Sequence, residues 1–119
     1  MNITSAEALI MDALWRREPL SAEDIVADVA AQGWSEATVK TFLNRLLKKG
    51  AIAASSEGRR YLYRPVLQRT DFVDAESQGF LERMFDGRLA PLVSHLSERR
   101  KLTAEDVAEL KRLINELEP

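Results

Sequence analysis

Residues Trp34 to Gly50, WSEATVKTFLNRLLKKG, gather their apolar side chains on one side only if they form an α-helix. Val39, Phe42, Leu43, Leu46 and Leu47 recur at the i, i+3, i+4, i+7, i+8 spacing of a helix face. Ser35 suits the cap position, where its side-chain oxygen can accept from an orphan amide of the first turn. The opposite face carries Ala37, Thr41, Asn44 and Lys48, flanked by Thr38, Lys40 and Arg45, with Glu36 as its only acid. Any soluble helix has a polar face. One this short of carboxylates, in an acidic chain, points instead to nucleic acid, with donors for bases and cations for phosphates.

The formal net charge of −2 hides how that charge is distributed. Residues 1–34 carry a net −4, residues 35–69 a net +6, and residues 70–119 a net −4. A basic middle between two acidic flanks is the electrostatic footprint of a phosphate-binding surface. At 119 residues the chain is one ordinary domain, or a small one with an appendage. It contains no cysteine, so there is no disulfide framework, thiolate metal site or cysteine nucleophile. No apolar run approaches the length of a membrane span, and MNITSAEALI lacks a basic leader region. A soluble, cytoplasmic protein without metal or cofactor is expected.

Upstream, Thr4-Ser5-Ala6-Glu7 has the form of a capping box preceded by Ile3. The helix it opens is expected to run to about Arg17 and to bury Leu9, Ile10, Ala13 and Leu14, with Trp15 as a packing residue. Glu18-Pro19 stops it, because proline disfavours helical geometry in the residue before it. Ser21 and Asp24 form a second box, and Leu20 can staple onto Ile25. Ile25, Val26, Val29 and Ala30 give that second helix an apolar face, Gly33 ends it, and Glu23, Asp24 and Asp28 make its outer side unsuited to phosphates. Two helices joined so tightly, the second basic outside, form a helix-turn-helix.

After Gly50 the period changes. Ala51 to Ala54 and Arg59 to Arg64 read as short strands around a Ser55-Ser56-Glu57-Gly58 turn, closed by Pro65. A helix-turn-helix followed by a basic hairpin is a winged helix, with Arg59 and Arg60 just past the tip of the wing. Charge that merely blunts an edge strand is the plainer reading of those arginines. Their place beside the turn favours phosphate contact.

A boundary is expected near Leu67 to Arg69, dividing a DNA-binding domain over 1–68 from a helical domain over 69–119. Residues 71–85 read as a helix ended by Asp86-Gly87, and Leu89 to Leu96 as a short second one. Thr103, with Asp106 as box partner and a Leu102-to-Val107 staple, opens a third. Three amphipathic helices of this size bury their own faces poorly. Pairing with a second copy would cover Phe72, Val73, Phe80, Leu81, Met84, Phe85, Leu92, Val93, Leu96, Val107, Leu110, Ile114 and Leu117. Folding back onto the winged helix is the alternative. The expected fold class is mainly α with a small β-hairpin: an N-terminal winged helix-turn-helix plus a C-terminal three-helix dimerisation domain.

TVKTFLNRLLKKGAI from Thr38, EGRRYLYRP from Glu57, ESQGFLERMFDGRLAPLVSHL from Glu76 and LTAEDVAELKRLI from Leu102 together resemble the BlaI/MecI family of bacterial repressors, in order and over essentially the whole chain. The resemblance implies a homodimeric repressor on palindromic operators of β-lactamase or penicillin-binding-protein genes, and hence a role in antibiotic resistance. It also implies a membrane sensor protease as partner and regulatory cleavage within the dimerisation domain. The family's scissile Asn-Phe position falls at His95-Leu96, where neither residue matches. A copper-responsive branch carries a cysteine cluster near its C-terminus, which this chain lacks.

On this reading Ser35, Thr38 and the helix N-terminus hold a phosphate. Lys40, Thr41 and Asn44 read bases. Arg45, Lys48, Arg59 and Arg60 neutralise backbone charge. An enzyme fits poorly. The single histidine, His95, sits in an apolar helix pattern, and no glycine-rich phosphate loop is present. The acid pairs Glu23-Asp24 and Glu105-Asp106 sit in helix first turns, where capping and the dipole explain them. A winged helix that binds protein would expose an apolar face in place of this basic one; a repressor of some other regulon remains an alternative.

Overall fold

Side-chain caps set where four of the described α-helices begin. In the computed structural model, which describes residues 1–117, Thr4 accepts from the Glu7 amide and Glu7 accepts from the Thr4 amide, opening α1, Ser5–Arg16. Ser21 and Asp24 repeat the reciprocal pair at the start of α2, Ala22–Asp28. Ser35 caps α3, Glu36–Lys49, and Gly50 closes it with φ +76°, a left-handed conformation that costs glycine little. The hairpin follows as β1, Ile52–Glu57, and β2, Arg60–Pro65. The remainder is α4, Arg69–Phe85, α5, Leu89–Glu98, and α6, Ala104–Leu117. Glu118 and Pro119, the last residues of the expected C-terminal domain, lie outside the described residues.

The chain divides into two compact units, Met1–Val73 and Asp74–Pro119, with the division falling inside α4. The core belongs to the first. Ile10, Met11, Leu14, Ile25, Val39, Leu43 and Leu46 are fully buried there, closed by Ile52 and Tyr63 from the hairpin. β1 and β2 pair antiparallel, from Ile52 opposite Pro65 to Glu57 opposite Arg60. A single bridge between Leu20 and Tyr63, carried by two backbone hydrogen bonds, ties the start of α2 to the wing.

Several details differ from the expectations. Leu9 is half-buried, and Met11 takes the core position instead. The second helix stops at Asp28; a 3-10 turn over Ala30–Gln32 carries the chain to Gly33, leaving Ala30 exposed. Ser55, Ser56 and Glu57 belong to β1, so the turn is Gly58-Arg59 and Arg59 sits at the tip. Gly58 has φ +64°, which lets so short a connection close. α5 continues two residues beyond Leu96. Phe72 rests against Trp15, ring centroids 5.5 Å apart, inside the first unit. The cause is the Trp15 indole N–H, which donates to the Leu67 carbonyl at 2.9 Å and lays the start of α4 over that ring.

The second unit has no counterpart to this core. Its helices contribute no buried residue among those described. Phe80, Met84, Leu89, Val107, Leu113, Ile114 and Leu117 are exposed, Leu117 by 83%. Leu81, Phe85, Leu92, Val93, Leu96 and Leu110 are half-buried. Within the unit, Phe85 touches Phe80 and His95. Thr103 and Asp106 make the third reciprocal cap, and Arg112 binds Glu109 and Glu116 on the polar side of α6.

The first unit hides one charged pair. Glu7 is fully buried, and its Oε1 accepts from Lys49 at the last turn of α3. Burial pushes the Glu7 carboxyl up, but hydrogen bonds from Lys49 and Thr4 and the lysine charge outweigh it, so it titrates below its ordinary 4.5. The unfolded chain therefore binds the proton first. Glu7 contributes its stabilisation in full above that ordinary value and loses it as pH falls through the lower folded one. Lys49→Met should reduce unfolding free energy by about 3 kcal/mol, the scale for stranding one partner of a buried pair. Glu7→Gln should flatten the acid limb of stability, measured by urea unfolding at a series of pH values.

Candidate nucleic-acid interface

The buried side of α3 fixes what its other side presents. With Val39, Leu43 and Leu46 at 0% exposure, helical geometry turns Lys40, Thr41, Asn44, Arg45 and Lys48 to solvent, and all five are exposed. Lys48 and Lys49 are neighbours with opposite assignments. Successive residues point about 100° apart, so Lys49 reaches Glu7 while Lys48 faces out.

Each outward side chain has its own local state. Ser35 Oγ accepts from the Thr38 amide at 3.2 Å and donates to Thr38 Oγ1 at 3.1 Å. That amide and the two hydroxyls already serve the cap. Thr41 Oγ1 donates to the Ala37 carbonyl at 3.1 Å, which leaves its lone pairs and methyl group for a base edge. Lys40 Nζ lies 3.8 Å from Glu36 Oε1, a loose and exposed pair worth little in water. The Arg45 guanidinium lies 5.8 Å from the centroid of the Phe42 ring, and Phe42 in turn packs on Trp34 at 4.9 Å. Stacking holds the arginine along the outer surface before any ligand arrives.

The wing adds Arg59 at its tip and Arg60 at the first position of β2, both exposed. Lys40, Arg59 and Arg60 line one cleft of about 170 Å³ between the start of α2, the start of α3 and the wing. Glu23, Glu36 and Tyr61 line it too. Hydrogen bonds from Ser21 hold the nearby Asp24 carboxyl below its ordinary value, helped by the charges of Arg60 and Arg17. The cleft is open and mixed in charge, with Lys40, Arg59 and Arg60 lining it beside Glu23 and Glu36.

Of the expected DNA-binding residues, Lys40, Thr41, Asn44, Arg45 and Lys48 share the outer side of α3, Ser35 is exposed at its cap, Thr38 is half-buried in its first turn, and Arg59 and Arg60 stand across the cleft on the wing. Sequence reasoning did not single out Arg64, which is exposed on β2 and donates to Ser55 Oγ at 3.4 Å. Its signal was the run RRYLYR, which places a third arginine on the same strand as Arg60. His95 is exposed and Leu96 half-buried on α5. Among the described residues no helix is long and apolar enough to cross a membrane, and no cluster of His, Asp and Glu could hold a metal ion.

Residues 3–116 match the family described as Penicillinase repressor. The penicillinase repressor of Bacillus licheniformis is 30% identical over 116 residues, covering 97% of this chain and 91% of that protein. The methicillin resistance regulatory protein MecI of Mammaliicoccus sciuri is 28% identical over 115 residues, covering 96% and 94%. Among solved structures, the DNA-binding domain of the repressor BlaI superposes with a TM-score of 0.54 at 31% identity, over 59% of this chain and 87% of that one. The monomeric form of Bacillus licheniformis BlaI, in complex with the blaP half-operator, gives 0.52 at 30% identity over 60% and 88%. A point mutant of S. aureus MepR gives 0.57 at 23% identity over 98% and 80%, a likeness of fold alone. A match that begins before α1 and ends in the last turn of α6 leaves one assignment: the chain belongs to the penicillinase repressor family of BlaI and MecI, transcriptional repressors and not enzymes.

Proposed function

We propose that this protein represses transcription by binding a palindromic operator as a homodimer, each winged helix reading one half-site. The observation that carries the reading is the exposed side of α3, where Lys40, Thr41, Asn44, Arg45 and Lys48 face out together while Val39, Leu43 and Leu46 are fully buried. α3 is the element for the major groove, and Arg59 and Arg60 grip the backbone beside it. Lys40, Thr41 and Asn44 read base edges; Arg45, Lys48, Arg59 and Arg60 neutralise phosphates; Ser35 and Thr38 set the helix N-terminus against one. The complex of monomeric Bacillus licheniformis BlaI with the blaP half-operator supports one chain per half-site.

On this reading residues 1–68 bind DNA and residues 69–119 pair the chains. The exposed apolar faces of α4, α5 and α6 support that pairing, because one chain alone leaves them in water. Val73, Phe80, Leu81, Met84, Phe85, Leu92, Val93, Leu96, Val107, Leu110, Ile114 and Leu117 supply the contact, with Leu89 and Leu113 added to it. Phe72 contributes by holding α4 to Trp15. The names of the relatives favour genes of the β-lactam response as targets. Release by a membrane sensor protease belongs to the same proposal, although the family's scissile position falls at His95-Leu96, where neither residue matches.

Anisotropy titrations of the full chain on its own upstream promoter, against scrambled duplex and across a salt series, test the reading. Saturable, sequence-preferring binding by two chains per site is expected; equal weak binding to both duplexes would count against it. Thr41→Ala and Asn44→Ala should each cost about 1–3 kcal/mol on the operator and relax one position of the site. Arg59→Ala should weaken all duplexes alike and reduce the salt slope by about one. Glu36→Gln should strengthen scrambled binding more than operator binding, because it frees Lys40 for any phosphate and removes a repelling charge. Ile114→Glu should shift the free protein to monomer in sedimentation analysis and weaken the full palindrome far more than a half-site.

A further inference from the structure

One large side chain of the winged helix stands where folding alone gives it no task. Tyr61 is 62% exposed, although Leu62 and Tyr63 beside it on β2 are each 8% exposed. Strand alternation puts Tyr61 and Tyr63 on the same face of the hairpin, with Tyr61 opposite Ser56. Tyr63 enters the core, whereas Tyr61, two residues nearer the tip, lies past the core's edge. There it lines the same cleft as Lys40, Arg59 and Arg60. Single exposed apolar residues are ordinary. A ring with one polar end, set among three cations in a groove between two DNA-facing elements, is a more specific placement.

We propose that Tyr61 is a further DNA-binding residue, its ring packing on a deoxyribose and its hydroxyl donating to a backbone phosphate of the strand held by Lys40, Arg59 and Arg60. The inference rests on the DNA-binding reading above and names a contact of a different kind. A neutral phenol releases no counterion, so Tyr61 adds affinity without adding to the salt dependence. A sugar-phosphate contact positions the duplex and does not read its sequence, so operator and scrambled DNA gain alike.

The test uses the full chain and Tyr61→Phe, Tyr61→Ala and Arg60→Ala variants in anisotropy titrations on promoter and scrambled duplexes over a range of potassium chloride. Tyr61→Ala should weaken both duplexes by roughly tenfold or more with an unchanged salt slope, the scale of one hydrogen bond to a charged acceptor and its packing. Tyr61→Phe should lose part of that, since it keeps the ring. Arg60→Ala should flatten the slope by about one. Wild-type affinity in both tyrosine variants, with Arg60→Ala still impaired, would overturn the role of Tyr61 and leave DNA binding standing. Absence of salt-dependent binding by the wild type would overturn both. Thermal melts of Tyr61→Ala matching the wild type separate loss of contact from loss of fold.

Discussion

The rotational setting of α3 is the constraint on which the winged helix depends. A turn of the helix by one residue, about 100°, would bury Lys40 and Asn44 and expose Val39 and Leu43. Three fully buried side chains, Val39, Leu43 and Leu46, oppose such a turn along most of the helix. The last turn is held differently, by Lys49 reaching the buried Glu7 of α1. A salt bridge there does little for stability beyond what an apolar pair of the same shape would give. Its value is directional. The observed rotation of α3 gives Glu7 the cation of Lys49, and that same rotation sends Lys48 outward.

Glu7 thus serves two elements through one oxygen. Oε1 accepts from the Thr4 amide, which starts α1, and from Lys49, which fixes the end of α3. The capping interaction is local and was legible in Thr4-Ser5-Ala6-Glu7. The ion pair was not, because its partner lies 42 residues away and the carboxylate already had a sufficient explanation in the cap. The same limit governs the other surprises. Leu20 bridges Tyr63, and Trp15 donates to Leu67, across separations that no periodicity encodes. Where the deciding forces are short-range, sequence sufficed: three reciprocal caps, the glycine that ends α3, the apolar face of α3 and the hairpin all stand where the residues placed them. The turn is shorter than expected and lies nearer β2 because serines read as loop formers, while cross-strand pairing to Tyr61 and Leu62 drew Ser55 and Ser56 into β1.

The two units leave opposite kinds of surface unsatisfied. The first buries most of its large apolar residues and presents cations. The second presents Phe80, Met84, Leu89, Ile114 and Leu117, and hides none of its helices' side chains fully. Sequence made both surfaces visible, since a charge census and helical periodicity suffice for that. It could not say which apolar residues belong to which body. Phe72 sits on the same helix as Phe80, yet packs on Trp15, because the Leu67 carbonyl fixes where α4 begins.

A cationic unit and an apolar unit on one chain make sense as a device in which affinity is set by pairing. One winged helix of this size offers a handful of phosphate contacts, each weakened by salt, and the acidic remainder of the chain opposes even those. Joining two of them turns the second half-site contact into an intramolecular event, with an effective concentration set by the distance between the paired units. Release then requires no change at α3 or the wing. Under the proposed pairing it requires only that the apolar faces of α4 to α6 part, which would place the control point in the helical unit and not in the winged helix.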